Sequence, residues 1–338
     1  MKRTKLIFFA CCAFFLCSSG NLFAKQETEV KRVEDIYIRD PYILPVEKEQ
    51  MYYMYRSASV TNEHGKTVGG VQVFKSKDLK NWTGPVQVCE LPETNWSSGL
   101  IWAPEVHCYR GKYYLFATIN SDIAWKKEQK GWPPYIWRGT QIFRSNSPEG
   151  PFVPFSGDRH TPADEMALDG TLWVEDGIPY MIYCHEWVQI ADGSIKLVEL
   201  SSDLSKPVGI PVMLFHASAA KWSTGSAHES PLPTSYVTDG CFLYRTKTGR
   251  LLMIWSSFMD GQYAVGIAES VSGKVIGPWK QQDEPVFRRD GGHAMIFKTF
   301  EGKLCIVLHQ PNSGGKERAH IYELEDLGNT LRIKAELE

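Results

Sequence analysis

The stretch at residues 168–185, "LDGTLWVEDGIPYMIYCH", contains two runs of strand-forming residues joined by Asp176-Gly177. Asp-Gly is a preferred dipeptide of tight hairpin turns, because both residues accept a positive φ. The flanking residues are mostly aromatic, β-branched or aliphatic, which is typical of strands. The stretch therefore predicts a β-hairpin that begins beside an acidic residue, Asp169.

Four other stretches share this plan of a marked start, an apolar strand, a tight turn and a second apolar strand. They are "RDPYILPVEKEQMYYMYRS" (39–57), "APEVHCYRGKYYLFATI" (103–119), "TDGCFLYRTKTGRLLMIWSS" (238–257) and "GGHAMIFKTFEGKLCIVLHQ" (291–310). The predicted anchor positions of the five copies are Asp40, Glu105, Asp169, Gly240 and His293. A hairpin plan that occurs five times in succession along the chain indicates a repeat architecture.

A second, weaker pattern follows most of the hairpins: a strand, a serine, a short polar turn and Gly-Pro or a close variant, as in "FKSKDLKNWTGP" (74–85). We interpret these segments as outer strands. Five units of about four strands predict an all-β fold, a five-bladed β-propeller over residues 25–338. The alternative is a sandwich of unrelated hairpins. Helical periodicity is absent over any long window, which argues against a helix-rich fold.

The overall composition narrows the class of protein. The chain has 338 residues, of which 43% are hydrophobic, and a formal net charge of −2. A chain without a basic excess offers no electrostatic face for nucleic acid, so that partner is disfavoured. The 11 Trp and 15 Tyr fit either a large β core or the stacking of flat ligands.

The first residues resemble an export signal. Three basic residues precede an apolar run from Leu6 to Leu16, and small residues follow up to Ala24. We predict a signal peptide over residues 1–24 and an exported protein, periplasmic or extracellular. A lipid anchor on Cys17 is disfavoured because large residues precede it, and no later stretch predicts a membrane span.

Five cysteines remain after the signal, and they are scattered without CxxC spacing (Cys89, Cys108, Cys184, Cys241 and Cys305). An odd number without paired spacing argues against a zinc site or a disulfide framework. We predict buried free thiols.

Three acidic residues are predicted to meet at the channel of the propeller. Asp40, Asp169 and Glu229 precede or begin the innermost strands of blades one, three and four. Carboxylates that converge on one funnel repel each other, so one stays ionised while another is held protonated. Inverting glycoside hydrolysis uses such a pair about 6.5–9.5 Å apart, one to activate water and one to protonate the leaving oxygen.

Three short motifs carry a family resemblance. "RDPYI" (39–43), "WAPEV" (102–106) and "LDGTLW" (168–173) resemble the signatures of glycoside hydrolase family 43, in blade order over nearly the whole mature chain. The resemblance implies a five-bladed propeller that cleaves arabinofuranosyl, xylosyl or related linkages with inversion. It implies that Asp40 is the general base and that Asp169 holds the proton donor and raises its pKa.

The general acid has two candidates, because this chain departs from the family pattern. The family places a Glu before Gly-Pro or Ala-Pro at the start of blade four. Glu229 has the residue type and a nearby proline in Glu229-Ser230-Pro231, whereas Asp239 directly abuts the predicted strand. Glutamate has the higher reference pKa, which suits a proton donor. We expect Glu229 to be the general acid, with Asp239 as its rival.

Other residues are less specific. Trp102 could stack on a sugar or fill the core, and Glu105 could touch substrate or hold a turn. Arg288 or Arg289 could bind a sugar hydroxyl or temper the acid cluster. The resemblance implies a histidine near a Ca²⁺ or other ion in the channel; His293 is either that residue, with water supplying most of the shell, or a structural histidine.

These features predict an exported inverting glycosidase that acts on arabinose- or xylose-containing plant polysaccharides or oligosaccharides. The first alternative is a non-catalytic glycan-binding propeller, and the second is a related glycosidase acting on galactosyl or fructosyl sugars. The segment 121–139 contains four aromatic residues that either wall a sugar subsite or cover the blade. The sequence leaves open the sugar, endo or exo attack, and the oligomeric state.

Overall fold

The computed structural model describes residues 29–126 and 129–337. The predicted signal peptide and Cys17 lie outside the described residues. Blade 1 contains β1 (Val30–Arg32), β2 (Tyr42–Val46), β3 (Met51–Thr61), β4 (Thr67–Ser76) and β5 (Asn81–Glu90). Blade 2 contains β6 (Ile101–Tyr109), β7 (Lys112–Ala124), β8 (Ile136–Ser145) and β9 (Val153–Pro154).

The other three blades follow in chain order. Blade 3 contains β10 (Ala167–Glu175), β11 (Ile178–His185), β12 (Ser194–Leu200) and β13 (Pro207–His216). Blade 4 contains β14 (Asp239–Arg245), β15 (Leu251–Met259), β16 (Gln262–Ser270) and β17 (Trp279–Gln281). Blade 5 contains β18 (Gly292–Lys298), β19 (Leu304–Gln310), β20 (Arg318–Asp326) and β21 (Leu331–Glu336). One-turn helices lie at α1 (Trp187–Ile190) and, in 3-10 form, at Val33–Asp35, Glu47–Glu49 and Ala217–Ala219.

The predicted five-bladed β-propeller is confirmed. Each blade is an antiparallel sheet whose strands follow chain order, except that β1 adds to the outer edge of blade 1 beside β5. The inner strands β2, β6, β10, β14 and β18 contact one another in a closed ring. Side chains near the beginnings of these strands therefore share one central channel.

The ring closes where the first segment of the described chain meets blade 5. The backbone N–H of Ile38 donates to the carbonyl of Glu317 at 3.2 Å, and Tyr37 forms an isolated bridge with Arg318. Arg39 Nη1 lies 3.2 Å from the Glu317 carboxylate. The segment that leads into β2 is thus attached to the last blade.

One backbone feature recurs in every blade. The residue at or just before the start of each inner strand has a positive φ, and in β6, β10, β14 and β18 the strand register shifts across it. These residues are Asp40 (52°), Ala103 (42°), Asp169 (56°), Gly240 (48°) and His293 (51°). The blade-two anchor is therefore Ala103, two residues before the predicted Glu105. Aspartate and histidine are among the side chains that tolerate this conformation best.

The aromatic residues mostly fill the core. Tyr52, Tyr55, Trp82 and Trp255 are fully buried in or between the sheets. Four of the five cysteines are buried free thiols as predicted, but Cys108 is exposed. Cys108 lies at the end of β6 beside an exposed hairpin turn, which explains the difference.

Within residues 29–126 and 129–337, we find no helix with the length and apolar character that a membrane crossing requires.

Candidate active site

A cavity of about 520 Å³ opens at the beginnings of the inner strands. It is lined by residues of blades one to four and the segments that join them, including Arg39, Asp40, Trp102, Asp169, Glu186, Trp187 and Asp239. The structure therefore brings the predicted acids Asp40 and Asp169, and the rival Asp239, to one place.

Asp40 is surrounded by basic side chains. Its Oδ1 lies 3.3 Å from Nδ1 of His293 and 3.7 Å from Nε of Arg39, and its backbone N–H donates to Nδ1 of His309 at 3.2 Å. Burial opposes ionisation, but His293, the neighbouring His309, whose Nδ1 lies 3.2 Å from Oδ1, and Arg39 together outweigh it and hold the pKa of Asp40 below its ordinary value. Asp40 is therefore ionised at neutral pH, as a general base must be.

His293 links three carboxylates at the base of the cavity. Its Nδ1 lies 3.3 Å from Asp40, 3.4 Å from Asp239 and 3.8 Å from Asp169. Burial disfavours the imidazolium, but the three acids raise the pKa of His293 to about 10. A Cβ on Gly240 would come within 2.8 Å of the His293 ring, so the glycine makes room for it.

Asp169 and Asp239 have opposite protonation. Burial and the neighbouring Asp239 charge raise the pKa of Asp169 well above its ordinary value. Asp239 is partly buried, which by itself would raise its pKa, but hydrogen bonds with Asp169, His293 and Tyr263 lower it. The Tyr263 hydroxyl donates to Oδ2 at 2.5 Å. Asp239 is thus the ionised member of the pair, which does not suit it to donate a proton.

Glu186 is the acidic residue of the cavity that the sequence analysis missed. It lies between β11 and α1 with Oε1 3.2 Å from Nη1 of Arg138. Its other oxygen, Oε2, is buried without a hydrogen-bond partner among the described residues. Burial raises the pKa of Glu186 to about 7. The third repeat ends at His185, one residue before it, and an acid between a strand end and Trp187 was the available signal.

Glu229 lies outside the cavity. It is exposed on the long segment before β14, and its backbone carbonyl accepts from the N–H of Leu232 at 2.9 Å. The preceding His228 stacks on Trp187 and packs against Trp132, which leaves Glu229 on the solvent side. This position does not support the prediction that Glu229 is the general acid.

Trp102 lines the cavity, whereas Glu105 does not. The Trp102 side chain is 37% exposed, and the guanidinium of Arg138 lies 4.5 Å from its ring centroid. Glu105 is buried with Oε2 2.9 Å from Nε2 of His107. Trp102 therefore keeps an exposed surface for a ligand. Glu105 instead has a structural position, the second of the two roles considered for it above.

The two predicted arginines are also absent from the cavity wall. Arg288 pairs with Glu284 at 2.9 Å on the surface. The guanidinium of Arg289 lies over the rings of Phe287 and Tyr322 at 5.1 and 5.6 Å. Neither position supports a contact with substrate, because both side chains are engaged on the outer part of blade 5 or its leading loop.

Among the residues that the structure describes, Asp169, Asp239 and His293 form a cluster that could hold a metal ion. Each offers one ligand atom, and these atoms lie within 4.8 Å of one another. Calcium takes roughly six to eight oxygen ligands, but this cluster offers two carboxylates and one nitrogen. These residues alone therefore do not fit Ca²⁺. The calcium prediction depends on water for most of the shell and stays a prediction.

Comparisons with known proteins agree with this geometry. The family model of Glycosyl hydrolases family 43 matches residues 33–334. The structure of an endo-arabinase from Bacteroides thetaiotaomicron VPI-5482 is similar, with a TM-score of 0.74 and 38% identity over 87% of this chain and 96% of that chain. An endo-1,4-beta-xylanase structure from the same organism has a TM-score of 0.67 and 21% identity over 91% and 97% of the two chains, a likeness of fold alone.

A curated relative is the "Extracellular endo-alpha-(1->5)-L-arabinanase 1" of Bacillus subtilis (strain 168), 25% identical over 236 residues. That match takes in 66% of this chain and 64% of the relative, so the chain spans somewhat less than two thirds of its length. The family model spans nearly all of the described propeller, including both predicted aspartates. The chain therefore belongs to glycosyl hydrolases family 43, whose members hydrolyse O-glycosyl bonds.

Proposed function

We propose that this protein is an inverting glycoside hydrolase that cleaves α-L-arabinofuranosyl linkages in arabinose-containing plant polysaccharides. Family membership supports the hydrolysis of a glycosidic bond. The similar endo-arabinase structure and the curated arabinanase support arabinose over xylose as the sugar. Xylosyl linkages remain the second choice within this proposal.

One observation carries the reaction: Asp40 and Glu186 line the same cavity in opposite protonation states. In the proposed mechanism Asp40 removes a proton from water as the water attacks the anomeric carbon. Glu186 donates its proton from Oε2 to the leaving oxygen on the opposite side of the sugar. Inversion requires a carboxylate whose pKa is low enough to leave it ionised and a carboxylic acid whose pKa lies near neutral pH.

The supporting roles in this mechanism follow from the charges around Glu186. Burial raises its pKa, Arg138 lowers it and the Asp239 carboxylate raises it further. We assign to Asp239 part of the modulating role that the resemblance implies for Asp169. Asp169, which holds a proton, keeps Asp239 and the backbone N–H of Gly240 in place.

We also propose export of the mature chain to the periplasm or the extracellular space. The predicted signal peptide at residues 1–24 supports this, as does the extracellular description of the curated relative.

The test uses purified mature protein and a panel of linear arabinan, xylan, galactan and fructan. We expect reducing ends from arabinan, and NMR of the first product should give the anomer inverted relative to the substrate. Asp40→Asn should abolish turnover while polysaccharide binding persists. Retention of configuration, or hydrolysis of the fructan or galactan alone, would contradict the proposal.

The non-catalytic alternative drew its support from the uncertain acid at Glu229. Glu186 now offers a protonated carboxyl group inside the cavity. A binding-only propeller would bind arabinan and release no products, and its affinity would not change in Glu186→Gln.

A further inference from the structure

A second groove lies beside the active-site cavity on blade 2. We call it the distal groove and define it by Ile123, Trp125, Tyr135, Trp137, Asp164 and Gln189, which line a volume of about 630 Å³. It combines three aromatic rings and one exposed aliphatic side chain with the Asp164 carboxylate and with Lys126, whose Nζ lies 4.6 Å from the ring centroid of Tyr135. The proposed chemistry at Asp40 and Glu186 uses none of these residues.

Trp137 is fixed in orientation at this groove. Its indole N–H donates to the carbonyl of Ala163 at 2.8 Å. The guanidinium of Arg159 lies 4.0 Å from its ring centroid. That side chain is buried, with Nε 4.0 Å from Oδ1 of Asp158, and Nε and Nη1 have no hydrogen-bond partner among the described residues. An aromatic ring that is held from behind loses little freedom when a flat ligand stacks on its open side.

Asp164 adds a polar group to the aromatic wall. Its side chain is exposed, and no hydrogen bond or ion pair engages its carboxylate among residues 29–126 and 129–337. Its backbone carbonyl accepts from the amide of Gln189 at 2.7 Å, which fixes the loop that presents it. Flat apolar rings beside a free acceptor match a sugar, which offers C–H faces and hydroxyl donors.

The distal groove and the cavity share a wall. Glu186 and Trp187 at the start of α1 line the cavity, and Gln189 in the same turn lines the groove. On β8, Trp137 lines the groove, while the next residue, Arg138, pairs with Glu186. Successive strand residues point to opposite sides, so β8 serves both sites at once.

We propose that the distal groove binds a second segment of the polysaccharide chain whose bond is cleaved in the cavity, several sugars away from that bond. This rests on the proposed function, because it takes the occupant to be the substrate itself. The shared wall favours a continuing chain over a separate molecule. Long chains therefore gain an affinity that short oligosaccharides lack, which suits attack within a polymer.

The test compares Trp137→Ala with wild type on linear arabinan and on the shortest arabino-oligosaccharide that the enzyme cleaves. One stacked ring corresponds to roughly a 2- to 10-fold change in affinity. We expect KM for arabinan to rise by that factor, with kcat and the kinetics on the short substrate unchanged. Asp164→Ala, which removes the acceptor at an exposed position, should show the same selective effect if Trp137→Ala folds poorly.

Trp279→Ala is the matched control, because this half-buried Trp of blade 4 also donates its indole N–H to a backbone carbonyl, that of Val275 at 3.0 Å. Binding of arabinan to Asp40→Asn, with and without Trp137→Ala, measures the groove without turnover. Equal polymer affinity and KM in both groove variants and the wild type would overturn the proposal. So would a change in oligomeric state without a change in glycan binding. Failure of wild type to cleave arabinan while the groove still binds it would instead overturn the proposed function.

Discussion

Oε1 of Glu186 pairs with Arg138 at 3.2 Å, while Oε2 is buried without a partner among the described residues. The two oxygens of one carboxyl group therefore have different surroundings. The paired oxygen fixes the orientation of the group, and the other is left to carry a proton into the cavity. The pKa of about 7 for Glu186 results from burial, which raises it, from the Arg138 charge, which lowers it, and from the Asp239 charge, which raises it.

Replacing Glu186 with Gln removes the proposed proton donor and keeps the shape. We expect kcat on arabinan to fall by about 10²–10⁴-fold. The loss should be much smaller on an aryl arabinofuranoside with a strongly acidic phenol, because that leaving group needs no protonation. Glu229→Gln is the control and should keep wild-type kinetics. Equal losses on both substrates, or a large loss in the control, would contradict the assignment.

Replacing Arg138 with Met should shift the pH dependence of the reaction. Arg138 lowers the pKa of Glu186, so its removal raises that pKa and keeps the acid protonated to higher pH. The alkaline limb of kcat/KM, expected near pH 7 in the wild type, should move upward. Arg144→Met, on the same strand with its guanidinium over Phe155, is the control. An unchanged or lowered alkaline limb would contradict this prediction.

Replacing His293 with Gln should destabilise the fold at neutral pH. The buried imidazolium faces three channel acids, of which Asp169 is buried and Asp40 and Asp239 are partly buried. Removal of a buried charged partner costs about 3–5 kcal/mol. Urea unfolding measures the loss. Repeating the experiment with calcium and with a chelator tests the calcium prediction, since a bound cation stabilises the folded state. No effect of calcium on either protein would argue against the ion.

His160 should make stability depend on pH between about 6.5 and 4. Its Nδ1 accepts from the N–H of Ile142 at 3.2 Å, and its Nε2 donates to the carbonyl of Leu204 at 3.1 Å. One accepting and one donating nitrogen correspond to a neutral imidazole ring. Burial lowers the pKa of His160 to about 4. Above pH 6.5 the His160 imidazole is neutral in both the folded and the unfolded chain. As the pH falls, the unfolded chain takes up the proton first, and up to about 3 kcal/mol of stability is lost.

The check is chemical denaturation of wild type and His160→Phe across this range. The variant should be less stable at pH 7, because two backbone groups lose their partners, but it should show a shallower decline toward pH 4. Parallel curves of stability against pH for the two proteins would show that protonation of His160 does not cause the decline.

The repeat pattern predicted the fold because a blade is a local unit, whose strands and turns follow one another in the chain. It also predicted that Asp40, Asp169 and His293 stand at or just before the starts of inner strands, and the structure brings these three side chains together. Glu186 was missed because it follows the second strand of a blade and reaches the cavity only through α1. Glu229 was misplaced because the packing of His228 on Trp187, distant in sequence, decides which side of that segment faces solvent.

The closure of the ring between Ile38 and Glu317 has a consequence for inactivation. Asp40 follows that junction by two residues, and its own N–H is bonded to His309 of blade 5. Asp40, the proposed base, therefore lies at the junction of the first and last blades. Separation of these two blades would displace it while all five sheets persist. Turnover and far-ultraviolet circular dichroism can be followed in one urea series. We expect turnover to be lost at a lower urea concentration than the circular dichroism signal. Coincident curves would mean that the junction and the blades unfold together.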